Sequence, residues 1–276
     1  MSTWLITGCS TGLGHHLAKA VLERGYNAVV TARDATTVRD LAELYPETAL
    51  ALSLDVTDPV QVANGVNQAE ERFGAVDVLV NNAGYGYRAA VEEGEDDAVA
   101  RLFSTNFFCP VMMIKAVLPS MRRRRSGAIV NISSIGARIC PPGSGYYSAS
   151  KSALEAMSGS LRAEVGPLGI TVTVVEPGGF RTDFAGRSLQ QARDPIADYA
   201  ETAGRRRKEH DTYHGTQPGD PDRAAQAIIT AVEADDPPFL LLLGKDACAA
   251  FQAVLEAQGK EMAGWRELSL GTGFPV

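Results

Sequence analysis

Short apolar runs alternate with segments of helical periodicity along most of this chain, and this alternation constrains the fold more than any other feature. The runs predict strands at residues 4–6, 27–31, 49–54, 76–80, 127–132, 170–175 and 239–243. Nearly continuous valine, isoleucine and leucine is typical of a parallel sheet buried on both faces. We therefore predict an α/β fold, in which about seven parallel strands with helices on both faces form a single domain over residues 1–276. Right-handed crossovers make such a sheet doubly wound and place ligands at the carboxyl ends of its strands.

Helical periodicity fills the intervals between these strands. It predicts helices that include residues 36–45, 58–73, 95–125, 147–165 and 221–234. Asp58 is a natural N-cap, and Pro110 should kink or interrupt the long helix in which it lies. A polar and charged segment with weak periodicity, residues 184–219, predicts a mobile substrate lid beside the ligand edge.

The composition argues against several classes of protein. A formal net charge of −7 gives no support for nucleic-acid binding. No apolar run approaches the roughly 20 residues that a membrane helix requires, so no membrane association is expected. The first strand follows the first residues directly and leaves no room for a signal peptide, and four scattered cysteines are typical of reduced thiols. We expect a cytoplasmic protein, and no metal site is predicted, because the cysteines lack metal-ligand spacing.

A glycine-rich turn, TGCSTGLG at residues 7–14, joins the first predicted strand to a helix. A glycine turn that opens a helix leaves backbone N–H groups and the positive end of the helix dipole facing outward, ready for a phosphate. Glycine motifs alone are weak evidence, but four further motifs lie at the same edge of the predicted sheet. They are NNAG at residues 81–84, NISS at 131–134, YSASK at 147–151 and PGGFRT at 177–182.

These five motifs, in this order and over residues 7–182, resemble those of the short-chain dehydrogenase/reductase family. The resemblance implies a Rossmann-type fold and an enzyme that transfers hydride between a nicotinamide cofactor and a small-molecule carbonyl compound or alcohol. Members of the family usually form homodimers or homotetramers, here through the helices predicted at residues 95–125 and 147–165. Within the family, the chain looks closest to uncharacterised bacterial oxidoreductases.

The spacing of Tyr147 and Lys151 carries the acid–base chemistry. Residues i and i+4 lie on one face of a helix, and an ammonium beside a phenol lowers the tyrosine pKa from its usual value of about 10. Tyr147 is thus predicted as the general acid toward a carbonyl oxygen or the general base toward an alcohol. Tyr146 lies off that face, and we assign it to packing or to a substrate wall.

Two further catalytic residues follow from the resemblance. The family places its catalytic serine thirteen residues before the tyrosine, and this position is Ser134 rather than Ser133. Ser134 would hydrogen-bond the reacting oxygen. The resemblance also matches Asn106 to the asparagine that holds a water between the lysine and solvent.

The resemblance implies a cofactor site built from the strand ends. Glycines would let the pyrophosphate approach the backbone, Asp55 would bind the adenine, and Lys151 would also hold the nicotinamide ribose. The predicted cofactor residues are Gly8, Ser10, Thr11, Gly12, Leu13, Gly14, Arg33, Asp55, Val56, Asn82, Ala83, Gly84, Tyr147, Lys151, Pro177, Gly178, Phe180 and Thr182.

The end of the second strand bears on the choice of nicotinamide. An NAD enzyme places a carboxylate there to bind the ribose hydroxyls, whereas this chain has Ala32 followed by Arg33. A guanidinium suits a 2′-phosphate, so NADP(H) is the preferred cofactor. Asp34 follows immediately and Thr11 in the glycine turn is neutral, so NAD(H) stays open.

Substrate and function class are less constrained. Tyr85, Tyr87 and Arg88 are predicted substrate walls, together with residues 138–145 and the segment after Thr182, and they suit a medium-sized, partly hydrophobic carbonyl compound. The arginine-rich run at residues 205–208 is expected on the surface. An alternative is an NADP-binding redox sensor without turnover; the complete catalytic set favours the enzyme.

Overall fold

Seven parallel strands form the central sheet of the molecule, and a pair of short strands lies apart from it. The computed structural model describes residues 1–186, 188–213 and 215–274. The strands are β1 (Thr3–Ile6), β2 (Asn27–Ala32), β3 (Ala49–Ser53), β4 (Val78–Asn81), β5 (Gly86–Arg88), β6 (Gly127–Ile132), β7 (Ile170–Pro177), β8 (Leu189–Gln191) and β9 (Leu240–Leu243). The order in the large sheet is β3-β2-β1-β4-β6-β7-β9, and β5 pairs with β8. This is the doubly wound order, which reverses at β1 and β4.

Eleven α-helices connect and flank these strands in the described part of the chain. They are α1 (Gly12–Glu23), α2 (Arg39–Leu44), α3 (Pro59–Phe73), α4 (Asp96–Phe103), α5 (Cys109–Arg124), α6 (Gly136–Ile139), α7 (Gly145–Val165), α8 (Ala203–Tyr213), α9 (Pro221–Glu233), α10 (Lys245–Gly264) and α11 (Arg266–Leu270). Asp58 caps α3 as predicted, since its Oδ1 accepts from the N–H of Val60 at 2.8 Å.

The side chains of β1 show why the strands are apolar throughout. Trp4 and Ile6 point to the face covered by α1 and α9, whereas Leu5 points to the face covered by α3, α5 and α7. A strand buried on both faces has no solvent side on which polar residues could alternate. The predicted α/β fold with helices on both faces is confirmed.

A short π-helix, Ser104–Phe108, interrupts the long helix predicted at residues 95–125. Pro110 lies two residues beyond this π-helix, in the first turn of α5, and it has no N–H to donate to the preceding turn. The irregularity therefore precedes the proline instead of being centred on it. Asn106 lies within the π-helix, and such turns often occur at functional sites.

The same continuous helix, Asp96–Arg124, is long and apolar enough to cross a membrane by length and composition. The sequence reading missed this segment because isolated polar residues divide its apolar stretch. Its inner face nonetheless belongs to the protein core, where Met113, Ile114 and Val117 are buried against the sheet and α3. A core helix of a doubly wound sheet meets the same length and composition criteria.

The C-terminal region and the predicted lid differ from the sequence expectations. α10 and α11 were not predicted, and most of their side chains beyond residue 251 are exposed. The segment at residues 184–219 contains β8 and α8, so it carries regular structure; Arg187 and His214 within it lie outside the described residues.

Replacing Gly14 with alanine should destabilise the protein by about 1–3 kcal/mol, because its Cβ would lie 2.4 Å from the carbonyl oxygen of Gly8. Gly65→Ala in α3 is the matched control, since its Cβ would meet Leu54 at an ordinary 3.6 Å and alanine favours a helix. Urea unfolding midpoints measure both. Equal stability of the two variants would contradict the close approach of Gly14 to the carbonyl oxygen of Gly8.

Candidate active site

Hydrogen bonds from Asn82 and Thr7 hold the glycine turn against the end of β4. The side-chain amide of Asn82 donates to the carbonyl oxygens of Thr7 at 2.8 Å and of Gly8 at 2.9 Å. In return, Thr7 Oγ1 accepts from the backbone N–H groups of Asn82 and Ala83, both at 3.0 Å. Asn82 and Ala83 were predicted to flank the cofactor, and the structure places them where they also fix the turn.

The turn leaves the start of α1 open to an anion. Gly8 and Gly12 have positive φ angles of 73° and 64°, which residues with a Cβ adopt only with strain. Thr11 occupies the N-cap without a side-chain cap bond, and the first turn of α1 contains no acidic residue. The first N–H groups of α1 are thus available to a phosphate, which fits the predicted nucleotide.

The end of β2 presents a guanidinium and a carboxylate with different partners. Arg33 is exposed, and no hydrogen bond or ion pair of its guanidinium is present within the described residues. Asp34 instead caps the next turn, where its Oδ1 accepts from the backbone N–H of Thr36 at 2.9 Å and from its hydroxyl at 2.7 Å. These bonds hold the pKa of Asp34 below its usual value. The Asp34 carboxylate is therefore ionised and bound to Thr36, whereas the guanidinium of Arg33 remains exposed.

The neighbouring strand β3 brings Asp55 and Val56 to the same edge. Asp55 Oδ1 accepts from the N–H of Thr57 at 2.9 Å and from its hydroxyl at 2.7 Å. Val56 is buried against the α3 side of the core. Both residues lie beside the end of β2, because the N–H of Leu54 donates to the carbonyl oxygen of Ala32.

Tyr147 lies in the first turns of α7, buried at the carboxyl end of the sheet. Burial raises the pKa of its phenol, whereas the hydrogen bond with Ser134 and the charge of Arg88 lower it. The ring of Phe184 lies 6.0 Å from the Tyr147 ring, between centroids. Contrary to the sequence argument, the net direction is upward, so that the phenol keeps its proton at neutral pH.

Lys151 is buried one helical turn further along α7. Its Nζ donates to the carbonyl oxygen of Ile132 at 2.8 Å and lies 6.0 Å from the centroid of the Tyr147 ring. Burial lowers the pKa of this ammonium to about 8, and the charge of Glu155 opposes the shift. The predicted side-by-side placement of Tyr147 and Lys151 on one helix face is confirmed.

Asn106 is fully buried and organises the backbone around the site. Its Oδ1 accepts from the N–H of Tyr85 at 3.1 Å, and its Nδ2 donates to the Tyr85 carbonyl at 3.0 Å and to Ser150 Oγ at 3.1 Å. Ser150 Oγ in turn donates to the carbonyl oxygen of Tyr147 at 2.8 Å. The sequence reading missed Ser150, although it lies within the YSASK motif. Gly84 is adjacent, because a Cβ there would lie 3.1 Å from Asn106 and 3.3 Å from Lys151.

The exit of β7 completes the site. Thr182 faces the glycine turn, since a Cβ on Gly12 would lie 3.6 Å from it. Gly178 borders Asp246 of α10, whose Oδ2 accepts from the N–H of Gly179 at 2.7 Å.

The side chain of Phe180 packs against the core and against Gly219. Only the backbone of Phe180 is therefore left to contact a cofactor. Asp246 was missed because it lies in the unpredicted α10. Every predicted catalytic residue, and most predicted cofactor residues, thus lie along one edge of the sheet.

Comparison with known proteins identifies the family of this chain. The family model described as short chain dehydrogenase matches residues 2–193. The chain belongs to the short-chain dehydrogenase family. It is 37% identical over 272 residues to "Oxidoreductase BOA17" of Botryotinia fuckeliana, which covers 98% of both chains. It is also 37% identical over 243 residues to the 3-ketodihydrosphingosine reductase of Bacteroides thetaiotaomicron, with 87% of both chains covered.

Solved structures give the same result for this short-chain dehydrogenase. A short-chain dehydrogenase from Streptomyces avermitilis is 40% identical and superposes with a TM-score of 0.93, over 99% of this chain and 98% of that one. A short-chain dehydrogenase from Burkholderia cenocepacia in complex with NADP is 25% identical, with a TM-score of 0.73 over 95% and 96% of the two chains. The family membership makes this chain an oxidoreductase with a Rossmann nucleotide-binding fold.

One of the predicted substrate walls is wrong. Tyr87 is only 2% exposed, and it packs in a small core with Ala89 and Leu102 while its hydroxyl donates to Glu95. Arg88 is half-buried; it donates to Ser144 Oγ and is close enough to lower the pKa of Tyr147. The alternation of β5 explains the difference, because neighbouring strand residues point to opposite faces.

Three glutamates of the EEGE stretch hold the predicted lid segment. Glu95 Oε1 accepts from the N–H of Arg193 at 2.8 Å, and the Tyr199 hydroxyl donates to Glu92 Oε2 at 2.6 Å. Buried Glu93 accepts from the N–H of Ile196 at 2.8 Å and also pairs with Arg207.

Arg207 was expected on the surface, but its side chain is only 13% exposed because of its pairing with Glu93. Burial is the largest influence on the pKa of Glu93 and raises it, yet the backbone donors and Arg207 together hold that pKa below its usual value. The pairing therefore stabilises the segment at neutral pH and is lost only as the pH falls through that lowered pKa. The described residues contain no cluster of three metal-ligating side chains.

Glu93→Gln should loosen residues 193–208, because an amide offers Arg207 no charge and cannot accept equally from all three donors. We expect tryptic cleavage in this segment to accelerate at least about fivefold, corresponding to about 1 kcal/mol or more of local stability. Exposed Glu92→Gln, which loses part of one contact with Tyr199, is the control. Identical cleavage rates for the two variants would show that Glu93 does not hold the segment.

Proposed function

We propose that this chain is an NADP(H)-dependent oxidoreductase that interconverts a carbonyl group and an alcohol, acting on CH–OH groups. The observation that carries the proposal is the convergence of Ser134, Tyr147 and Lys151 beside the glycine turn. When bound, the nicotinamide would supply or accept the hydride. The chain's own residues bind the nucleotide, orient the reacting oxygen and move its proton.

Ser134 is arranged to orient a carbonyl oxygen. The backbone N–H of Gly136 donates to its Oγ at 3.0 Å, and the phenol of Tyr147 lies within hydrogen-bonding reach. The Gly136 bond occupies one lone pair of Ser134 Oγ and leaves the hydroxyl hydrogen free to donate. In the reducing direction, Ser134 donates to the carbonyl oxygen while Tyr147 delivers the proton.

The protonation states of Tyr147 and Lys151 favour reduction of a carbonyl group, because the acid that this direction requires is already protonated. Burial keeps Tyr147 protonated, while the lowered pKa of Lys151, about 8, still leaves it largely charged at pH 7. An ammonium beside the phenol stabilises the phenolate that forms when the proton leaves. The two groups therefore begin as an acid and a cation, the pair that carbonyl reduction needs.

Two relatives support the substrate and cofactor classes. The name of the 3-ketodihydrosphingosine reductase describes reduction of a ketone, and the Burkholderia structure holds NADP. Phe184 beside Tyr147 and exposed Val91 beside Gly145 would suit a medium-sized, partly hydrophobic carbonyl compound. A homodimer or homotetramer, and a cytoplasmic location, stay predictions from the sequence.

The central test is NADPH oxidation with a panel of ketones and aldehydes, followed at the nicotinamide absorbance. Tyr147→Phe should lower turnover about 100- to 10,000-fold while retaining NADPH binding, because it removes only the transferable proton. Tyr146→Phe is the matched control, since its hydroxyl donates to the Val91 carbonyl at 2.6 Å. If Tyr147→Phe turned over normally, the assignment of the acid would be wrong.

Arg33→Ala should weaken NADPH binding about 10- to 100-fold, since hydrogen bonds to a charged group contribute about 1.5–3 kcal/mol. NADH binding should change little, because it lacks the 2′-phosphate. Arg39→Ala, an exposed arginine at the start of α2, controls for the loss of surface charge. Fluorescence titration with both nucleotides measures the effect. Equal losses for NADPH and NADH would refute the proposed preference.

A further inference from the structure

Glu155 continues the line of catalytic residues along α7. Tyr147, Lys151 and Glu155 are spaced four residues apart, so their side chains lie on one helix face, with neighbouring Cβ atoms about 5–6 Å apart. The Glu155 side chain is only 8% exposed. A carboxylate in this position, one turn from the lysine, is costly to bury and has no role in the proton transfer described above.

The partners of Glu155 come from three different elements. From the end of β6, Ser133 Oγ donates to Glu155 Oε1 at 2.5 Å. From α6, Arg138 Nη2 lies 2.8 Å from Glu155 Oε2 and 2.7 Å from Glu176 Oε1, and its Nε also donates to Glu176. The ring of Phe251 from α10 covers the Arg138 guanidinium.

This cluster contains two carboxylates and one arginine. Glu176 projects from β7 with a fully buried side chain, and its Oε2 has no hydrogen-bond partner within the described residues. Burial and the neighbouring Glu176 raise the pKa of Glu155, whereas Ser133 and Arg138 lower it. The charged groups in contact with this cluster are Arg138 and Glu176, and Lys151 lies one helical turn from Glu155 on the same face of α7. With both carboxylates ionised, the cluster carries one net negative charge behind the catalytic lysine.

We propose that Glu155 is a positioning residue whose carboxylate, held by Ser133 and Arg138, keeps the buried Lys151 protonated and thereby sets the alkaline limit of catalysis. Lys151 itself donates to a neutral carbonyl oxygen, so Glu155 is its source of compensating charge on α7. The inference rests on the proposed function for its kinetic consequence, but not for the protonation of Lys151.

The sign of the effect follows from the charges. Glu155→Gln removes a negative charge one helical turn from Lys151, so the ammonium should lose its proton at lower pH, by about one unit. Reduction requires Tyr147 and Lys151 both protonated, and the lysine titrates first because the pKa of Tyr147 is raised. The alkaline limb of kcat/KM for carbonyl reduction should therefore move downward by the same amount.

The closing experiment measures the lysine directly and the kinetics separately. Protein labelled with ¹³C at lysine Cε reports the six lysines of the chain by NMR, and Lys151→Met assigns the resonance of Lys151. Its titration is compared in wild type, Glu155→Gln, Glu155→Asp and the control Glu164→Gln, an exposed carboxylate of the same helix. We expect a downward shift in Glu155→Gln, recovery in Glu155→Asp and no shift in Glu164→Gln.

Ser133→Ala provides a second variant in case Glu155→Gln does not fold, because it removes one hydroxyl and weakens the ionised form of Glu155. It should shift Lys151 in the same direction by a smaller amount. An unmoved Lys151 titration in the folded variants, even with reduced kcat, would show a structural role alone and overturn the proposal. If the wild-type protein turned over no carbonyl compound, the proposed function would be refuted. The NMR titration of Lys151 would still test the role of Glu155.

Discussion

The hydrogen bonds between Asn82 and the glycine turn are the constraint on which the rest of the site depends. They hold Gly8 so close to β4 that a Cβ there would lie 2.9 Å from Ala83, and they place Gly14 against Asn82 itself. With the turn fixed, α1 begins with its N–H groups uncapped, and Thr182 comes to rest beside Gly12. The glycines are thus needed for packing between β1, α1 and β4 as well as for a phosphate, and one set of contacts serves both.

Burial decides the chemistry of the catalytic pair more than their mutual contact does. Spacing suggested that Lys151 would lower the pKa of Tyr147, yet the Lys151 Nζ donates to the Ile132 carbonyl and lies 6.0 Å from the centroid of the phenol ring. Removal from water disfavours the charged form of each group, which raises the tyrosine pKa and lowers that of the lysine. At neutral pH the phenol of Tyr147 therefore keeps its proton. In the proposed reaction, the Lys151 ammonium would stabilise the phenolate as that charge develops.

Local patterns predicted the strands and the motif residues well, because both depend on neighbours in the sequence. The predicted ends of the seven main strands lie within a few residues of the observed ends, and Tyr147 and Lys151 share a helix face as their spacing required. Local patterns could not predict contacts between segments that are distant in the sequence. Tyr87 is buried by Glu95 and Leu102, and Arg207 is drawn inward by Glu93, which lies 114 positions away. An arginine-rich run looks solvent-exposed unless its buried partner is known.

Two buried glutamates show how the surroundings decide the sign of a pKa shift. Burial raises the pKa of both Glu93 and Glu155. Glu93 receives two backbone N–H donors and a guanidinium of its own, and these outweigh burial, so its charge is secure. Glu155 receives one hydroxyl and shares Arg138 with Glu176, a second carboxylate in the same cluster, so burial prevails. The first arrangement suits a fixed structural tie. The second leaves a carboxylate that can respond to its neighbours, and it lies one helical turn from Lys151.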